Sequence, residues 1–226
     1  MIVGGRLRYL HAELSKQVVA LESVEDEDDI EDVLSDSYDA NEKTSSNVTA
    51  DIGAIYSRSN YRVGLTVANL TEPDFDYGPI GVDCSGLNGS AQYNCYTAAH
   101  YSDRIALNET WTLERLTTLE GALLFAGGAG SLSTTVDLND VHDPVGDLNQ
   151  GFTVALGYRT KTPWLPDARV GYRRNLAGSE LSSASAGVTF FNRVHLDVAF
   201  GLESTDVDGS SVPRTLAFNL GFEMSY

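Results

Sequence analysis

The sequence predicts an all-β chain. The expected architecture is an antiparallel up-and-down transmembrane β-barrel, or the C-terminal part of one, of about 10–12 strands. A short helix is expected inside an acidic N-terminal loop. Three observations carry this expectation. The closing segment TLAFNLGFEMSY alternates strictly: Leu216, Phe218, Leu220, Phe222, Met224 and Tyr226 are apolar, and the residues between them are small or polar. Such alternation gives a strand one greasy face and one wet face. The segment is about as long as a tilted strand that crosses a bilayer, and it ends on an aromatic residue. Finally, tight turns such as SRSN and FFNR alternate with longer polar connections such as VHDPVGDLNQ and STDVDGSSVPR, the asymmetry of barrels with short periplasmic turns and longer outer loops.

Composition narrows the classes. The chain of 226 residues is read as a single domain, residues 1–226, with 42% hydrophobic residues and no continuous apolar run long enough for a transmembrane helix. Its net charge of −17 argues against direct nucleic-acid contact through a basic surface. The opening MIVGGRLRYLHAELSKQ lacks the charged start, apolar centre and cleavage site of a signal peptide. An exported barrel needs one, so the expectation is an N-terminally truncated chain whose first residues are already strand: Leu7 and Tyr9 alternate with Arg6 and Arg8.

Taken in order, residues 2–14 read as a strand, although 9–22 could pass for a short helix. An acidic loop insertion is expected over 15–48. Between Glu22 and Glu42 it holds no Lys or Arg, and Ile30, Val33, Leu34 and Tyr38 fall at helical spacing. A calcium loop of the EF-hand type is disfavoured, because Ile30 would occupy a ligand position and no central Gly is present. Strands are expected at 50–57, 61–70, 103–112, 117–126, 131–140, 151–159, 167–174, 182–190, 194–202 and 215–226. Strand parity exposes a conflict in that set. If Tyr226 ends in the periplasm, the long loops all face outward only when 103–140 holds an even number of crossings. Three strands are read there, and 103–112 is the weakest.

A Cys-containing loop is expected over 71–102. Cys84 and Cys95 lie close together in a Gly/Ser/Asn-rich stretch, and a disulfide between them would stabilise by up to about 3 kcal/mol and requires an oxidising compartment. Two free thiols are the alternative. No histidine has zinc-ligand spacing to the pair.

The alternation assigns faces. Bulky apolar side chains line one face. Arg62, Asp137, Arg159, Arg169, Arg173, His195, Asp197, Asn219 and Glu223 fall on the other and are candidate lumen-lining residues. An Arg facing lipid near the midplane would cost about 2–4 kcal/mol, which points the charges inward. A soluble barrel would reverse the assignment. Arg169 and Arg173 are expected to pair with lumen carboxylates such as Asp197 or Glu223; lining an anion path is the alternative. Tyr56, Tyr61, Tyr158, Trp164, Tyr172 and Tyr226 lie near strand ends, where an aromatic girdle would sit. Phe218, Phe222 and Tyr226 form a candidate C-terminal assembly signal for the barrel-assembly machinery. No nucleophile motif or metal-ligand spacing gathers around His11, His100, His142 or His195, so no catalytic residue, metal or cofactor is expected.

Residues 51–75 carry a resemblance. An Asp-x-Gly strand (Asp51, Gly53), a short turn, an Arg-x-Gly-Leu strand (Arg62, Gly64, Leu65) and an Asn-Leu-x-x-Pro exit (Asn69, Leu70, Pro73) resemble the TraF-like family, named for conjugal transfer and similar to FadL-type barrels. STTVDLND, ARVGYRRNL, HLDVAFGLES and TLAFNLGF continue the pattern, so the likeness covers roughly 49–226. It implies a non-enzymatic β-barrel in the outer membrane of a Gram-negative bacterium. Lipid, the barrel-assembly machinery and possible conjugation-system proteins are the partners it implies. Two other readings remain open: a FadL-like channel taking up hydrophobic small molecules, and a soluble β-barrel ligand-binding protein.

Overall fold

The computed structural model describes residues 1–20, 35, 38–39, 41–162, 164–191, 193–207 and 209–223. Ten antiparallel strands form one large sheet: β1 (Ile2–Leu14), β2 (Lys43–Ser57), β3 (Tyr61–Ala68), β6 (Leu116–Phe125), β7 (Gly130–Asp137), β10 (Gly151–Tyr158), β11 (Asp167–Asn175), β12 (Ser182–Phe190), β13 (Val194–Gly201) and β16 (Leu216–Phe222). They pair in chain order, each with its neighbour in sequence along the sheet. Among the described residues β1 and β16 are edges, so the sheet is not closed on itself. Three two-stranded ribbons are inserted between its strands: β4 (Asp74–Asp76) with β5 (Thr110–Thr112), β8 (Val141–His142) with β9 (Leu148–Asn149), and β14 (Ser204–Val207) with β15 (Ser210–Pro213).

The chain divides into two compact units. The first comprises Met1–Arg6, Ala50–Leu70 and Glu114–Tyr226 and holds most of the large sheet. The second comprises Leu7–Thr49 and Thr71–Leu113. The second contains the buried apolar core: Phe75, Ile80, Cys84, Cys95 and Ala98 are the buried hydrophobic residues among those described. Phe75 stacks on Trp111 across the β4–β5 ribbon, with ring centroids 5.7 Å apart. Helix α1 (Gly89–His100) follows a 3-10 turn at Cys84–Gly86, and the Cys84–Cys95 disulfide joins the two. Gly81 has φ +69°, and a Cβ there would lie 2.8 Å from the backbone nitrogen of Ala99, so the chain passes the end of α1 at a distance only glycine allows.

Several expectations are corrected here. Of 103–112 only Thr110–Thr112 is strand, and it pairs with β4 outside the large sheet. Between 103 and 140 the large sheet therefore has two strands, β6 and β7, an even number, and the parity conflict in the expected set does not arise. Strand β2 begins at Lys43 rather than near 50. KTSSNVTA is polar on both faces and shows no alternation, so periodicity could not report it. The region 71–102 is not simple loop, since it holds β4, the 3-10 turn and α1. In the acidic stretch, Ile30, Val33 and Leu34 lie outside the described residues, while Tyr38 is helical and exposed. Tyr226 also lies outside them.

Consecutive strands are antiparallel, so connections alternate between the two ends of the sheet. Residues 58–60, 126–129, 159–166 and 191–193 are short turns at one end. The longer connections 15–42, 69–115, 138–150, 176–181 and 202–215 leave from the other. Long connections gather at one end, as the sequence asymmetry suggested, with one exception: 176–181 is shorter than the 159–166 turn at the opposite end.

Candidate functional site: the polar face of the large sheet

Register decides which residues share a face, because side chains directly opposite one another in a ladder point the same way. One row runs Ser131, Gly157, Arg169, Gly187, Asp197, Asn219 across β7 to β16. The next runs Arg62, Ala122, Ser133, Ala155, Gly171, Ser185, Ala199, Ala217 across β3 to β16. Asp137, Arg173, His195 and Glu223 have the same parity, as does Arg159, one residue past β10. All nine candidate lumen-lining residues therefore share one face. The other face carries Leu65, Leu123, Leu132, Leu156, Val170, Val198 and Phe218, which are 37–67% exposed.

Glycine lets the centre of the polar face form. Arg169 and Asp197 stand on strands separated by β12, and the residue between them in the row is Gly187. A Cβ at 187 would lie 2.0 Å from Asp197 Oδ1 and 2.7 Å from Arg169 Nε. With no side chain in the way, Arg169 reaches over β12. Its Nε donates to Asp197 Oδ1 and its Nη2 to Asp197 Oδ2, both at 2.6 Å. This two-point geometry is the strong form of an Arg–carboxylate pair. Arg169 Nη1 also donates to Thr189 Oγ1 at 2.8 Å. Thr189 is only 7% exposed, and its hydroxyl lies 2.9 Å from His195 Nδ1. The hydroxyl, with one proton and two acceptor sites, can accept from Arg169 and still bond to Nδ1 in either direction. Nε2 faces Glu223 Oε2 at 3.8 Å. The chain Asp197–Arg169–Thr189–His195–Glu223 thus crosses β11, β12, β13 and the end of β16.

The other expected residues fall around this network. Arg159 pairs with Asp167 at 3.7 Å across the 159–166 turn. Asp137 accepts from the Thr118 hydroxyl at 2.7 Å and from the Gly151 N–H at 2.8 Å, tying β7 to β6 and to the start of β10. Asn219 stands opposite Asp197. Arg62 and Arg173 make no ion pair among the described residues, so Arg173 does not join Arg169 in pairing with a carboxylate. His11, His100 and His142 are not part of the network. Thr189, a member of the network, and Asp51, which anchors β2 apart from it, were not among the expected site residues. Asp51 is 7% exposed; its Oδ2 accepts from Arg6 Nη2 at 2.7 Å and its Oδ1 from the Asn69 N–H at 3.0 Å. That carboxylate was legible only as part of a strand motif, and Thr189 carried no signal at all. A cleft of about 760 Å³ opens beside the network, lined among others by Ser131, Gly157, Arg169, Thr189, His195 and Glu223.

The chemistry of this arrangement is charge compensation. Each carboxylate named in the network faces a cation or a hydrogen-bond donor, and the bonds run between different strands, Arg169–Asp197 spanning β12, so they hold register across the sheet.

At the long-connection end, Glu203 Oε1 accepts from both the N–H and the hydroxyl of Ser182, at 2.8 and 2.7 Å. The Ser182 hydrogen bonds hold its carboxyl below the ordinary glutamate value.

The disulfide expected from the sequence is present, with Cα atoms 5.5 Å apart. The family model described as "F plasmid transfer operon, TraF, protein" matches residues 1–138. The match contains the Asp51–Pro73 motifs and most of STTVDLND. It also reaches upstream through β1, beyond the resemblance read from the sequence, and it stops before ARVGYRRNL, HLDVAFGLES and TLAFNLGF. No curated protein and no solved structure matches the chain. The match takes in more than half of the chain, and the chain belongs to the family of the F plasmid transfer operon protein TraF.

Proposed function

We propose that this chain is a non-enzymatic β-barrel protein of the Gram-negative outer membrane, or part of the wall of one, acting as an envelope component in conjugative transfer. The observation that carries the reading is the apolar face of the large sheet. In a soluble sheet protein that face would be covered by a second layer. Here Leu156, Val170, Phe218 and Phe222 are 46%, 52%, 67% and 70% exposed, and among the described residues none of the buried hydrophobic ones belongs to the first unit. A hydrocarbon environment satisfies such a face while the polar side keeps its ion pairs. The strand ends agree: Tyr56, Tyr61, Phe125, Tyr158, Phe190 and Phe222 put aromatic rings on the apolar side at the short-turn end, where a girdle belongs. The disulfide suits an oxidising compartment. Family membership supplies the link to conjugation. The net charge of −17 argues that any contact with DNA is made by another component.

The test is heat-modifiable migration. Extracted from membranes in mild detergent, the chain should run faster on a detergent gel unheated than after boiling. Recovery wholly in the soluble fraction, with no shift, would remove the membrane reading.

A FadL-like uptake role is a second reading. It is favoured by a cleft of about 330 Å³ against the small residues Ala155, Gly171, Ala199 and Ala217 of the polar face. Hydrophobic small molecules found by mass spectrometry after mild extraction would support it over scaffolding.

A further inference from the structure

We propose that the short-turn rim of the large sheet is a docking surface for anionic phospholipid headgroups. The proposal rests on the membrane reading and names the lipid chemistry at one end of it.

Charge is divided sharply along the strand axis. Of the 32 Asp and Glu residues, 25 lie in the long connections and seven in the strands or at their ends. The acidic stretch 15–42 alone holds eleven, against a single Lys. The four short turns hold no Asp or Glu, yet they carry Arg58, Arg159, Lys161 and Arg193. Two carboxylates stand at strand ends on that side, Asp167 and Glu223, and both lie on the polar face, near Arg159 and His195 respectively. Arg58, Lys161 and Arg193 remain exposed and without an ion pair among the described residues. A chain this acidic has no general reason to gather its turn charges with one sign.

Aromatic rings lie next to these cations. Arg58 Nε donates to Tyr56 Oη at 2.7 Å, its guanidinium lies 5.9 Å from that ring's centroid, and Tyr61 lies 6.1 Å from Tyr56. Trp164, 82% exposed, meets Phe191 edge-on at 5.9 Å, joining the 159–166 and 191–193 turns that bear Lys161 and Arg193. Rings at headgroup depth with cations at or just beyond them match the layering of an interface whose phosphates are negative. Three cations spaced along a rim suit a lipid surface better than a duplex, whose backbone needs a dense basic track.

The experiment uses the full chain returned from detergent to vesicles, with competition between phosphatidylglycerol and phosphatidylcholine read by native mass spectrometry of the retained lipid. Wild type should keep phosphatidylglycerol about tenfold over phosphatidylcholine. The preference should fall as salt rises from about 0.05 to 0.5 M, where the screening length shrinks several-fold. The triple variant R58Q/K161Q/R193Q should lose most of it. R104Q/R115Q/R214Q, with the same charge change in the long connections, should keep it. A wild-type protein that inserts and shifts on boiling yet shows no lipid preference, or an unchanged preference in R58Q/K161Q/R193Q, overturns the proposal alone. Failure to insert or to shift overturns the membrane reading and this proposal with it. Displacement of the lipid by a short DNA duplex would assign the rim to nucleic acid and overturn it too. Should the triple variant not fold, the salt dependence of wild type still decides.

Discussion

At the scale of single residues, Gly187 and the Arg169–Asp197 pair behave as one object. The two side chains are 40% and 31% exposed, so solvent screens the pair and its worth is modest, about 1 kcal/mol. Arg169→Gln should therefore lower unfolding stability in detergent by about that amount. Gly187→Val places methyl groups where Arg169 and Asp197 meet and should cost more, about 1–3 kcal/mol, because it both overpacks the row and separates the charges. The double variant R169M/D197L should cost less than the sum of the singles, since it leaves no carboxylate without its partner. Melting temperatures of the purified wild type and variants give all three values. The sequence made Arg169, Asp197 and their shared face legible, because parity alone places them. It could not show Gly187 lying between them, since that depends on how β12 is registered against both neighbours.

Glu203 adds a pH dependence at the same scale. Its hydrogen bonds from Ser182 stabilise the carboxylate, so its folded pKa lies below the unfolded one. The sign follows from linkage: the stabilisation is present above the unfolded pKa and is lost as pH falls through the folded pKa. Wild type should lose stability below the ordinary glutamate value of 4.5 in part through this group. Glu203→Gln should flatten that part of the profile. A profile in E203Q that matches wild type would show that the hydrogen bonds carry no free energy.

Among elements, α1 is the one the sequence did not announce. GSAQYNCYTAAH has little apolar contrast around its circumference, and its surroundings are rich in Gly, Ser and Asn, so neither periodicity nor composition marked it. Three supports acting together hold it: the disulfide to Cys84, the Gln92 side chain donating to the Cys84 carbonyl, and burial of Ala98 beneath the Gly81 crossing. A helix of this length is marginal on its own. The C84S/C95S variant should destabilise this element by about 3 kcal/mol, the entropy of a short closed loop. Amide exchange over residues 89–100 should quicken far more than over β10–β13. Equal protection in the reduced and oxidised protein would assign the helix's stability to packing alone. The two-residue and four-residue ribbons β8–β9 and β14–β15 were hidden for another reason: they are too short for alternation to rise above chance.

For the whole molecule, the decisive contrast is between the two faces of one sheet. On the membrane reading proposed above, an Arg placed on the apolar side at Val170 should cost about 2–4 kcal/mol, enough to impair insertion. An Arg on the polar side at Thr153 should be tolerated. The pair is read by the fraction of protein that reaches the faster-migrating form, and equal tolerance of both would place water, not lipid, against the apolar face.

The positions of most strands of the large sheet, the face their side chains share, the gathering of long connections at one end and the closeness of Cys84 to Cys95 were determined by the sequence, because each depends on spacing along the chain. Which strands entered the large sheet was decided only in three dimensions. Residues 103–112 held enough β-forming residues to suggest a crossing, yet 110–112 pair with Asp74–Asp76 beside a Phe75–Trp111 stack. Pairing is a choice among partners distant in sequence, and it is settled by burial and register that no local pattern contains.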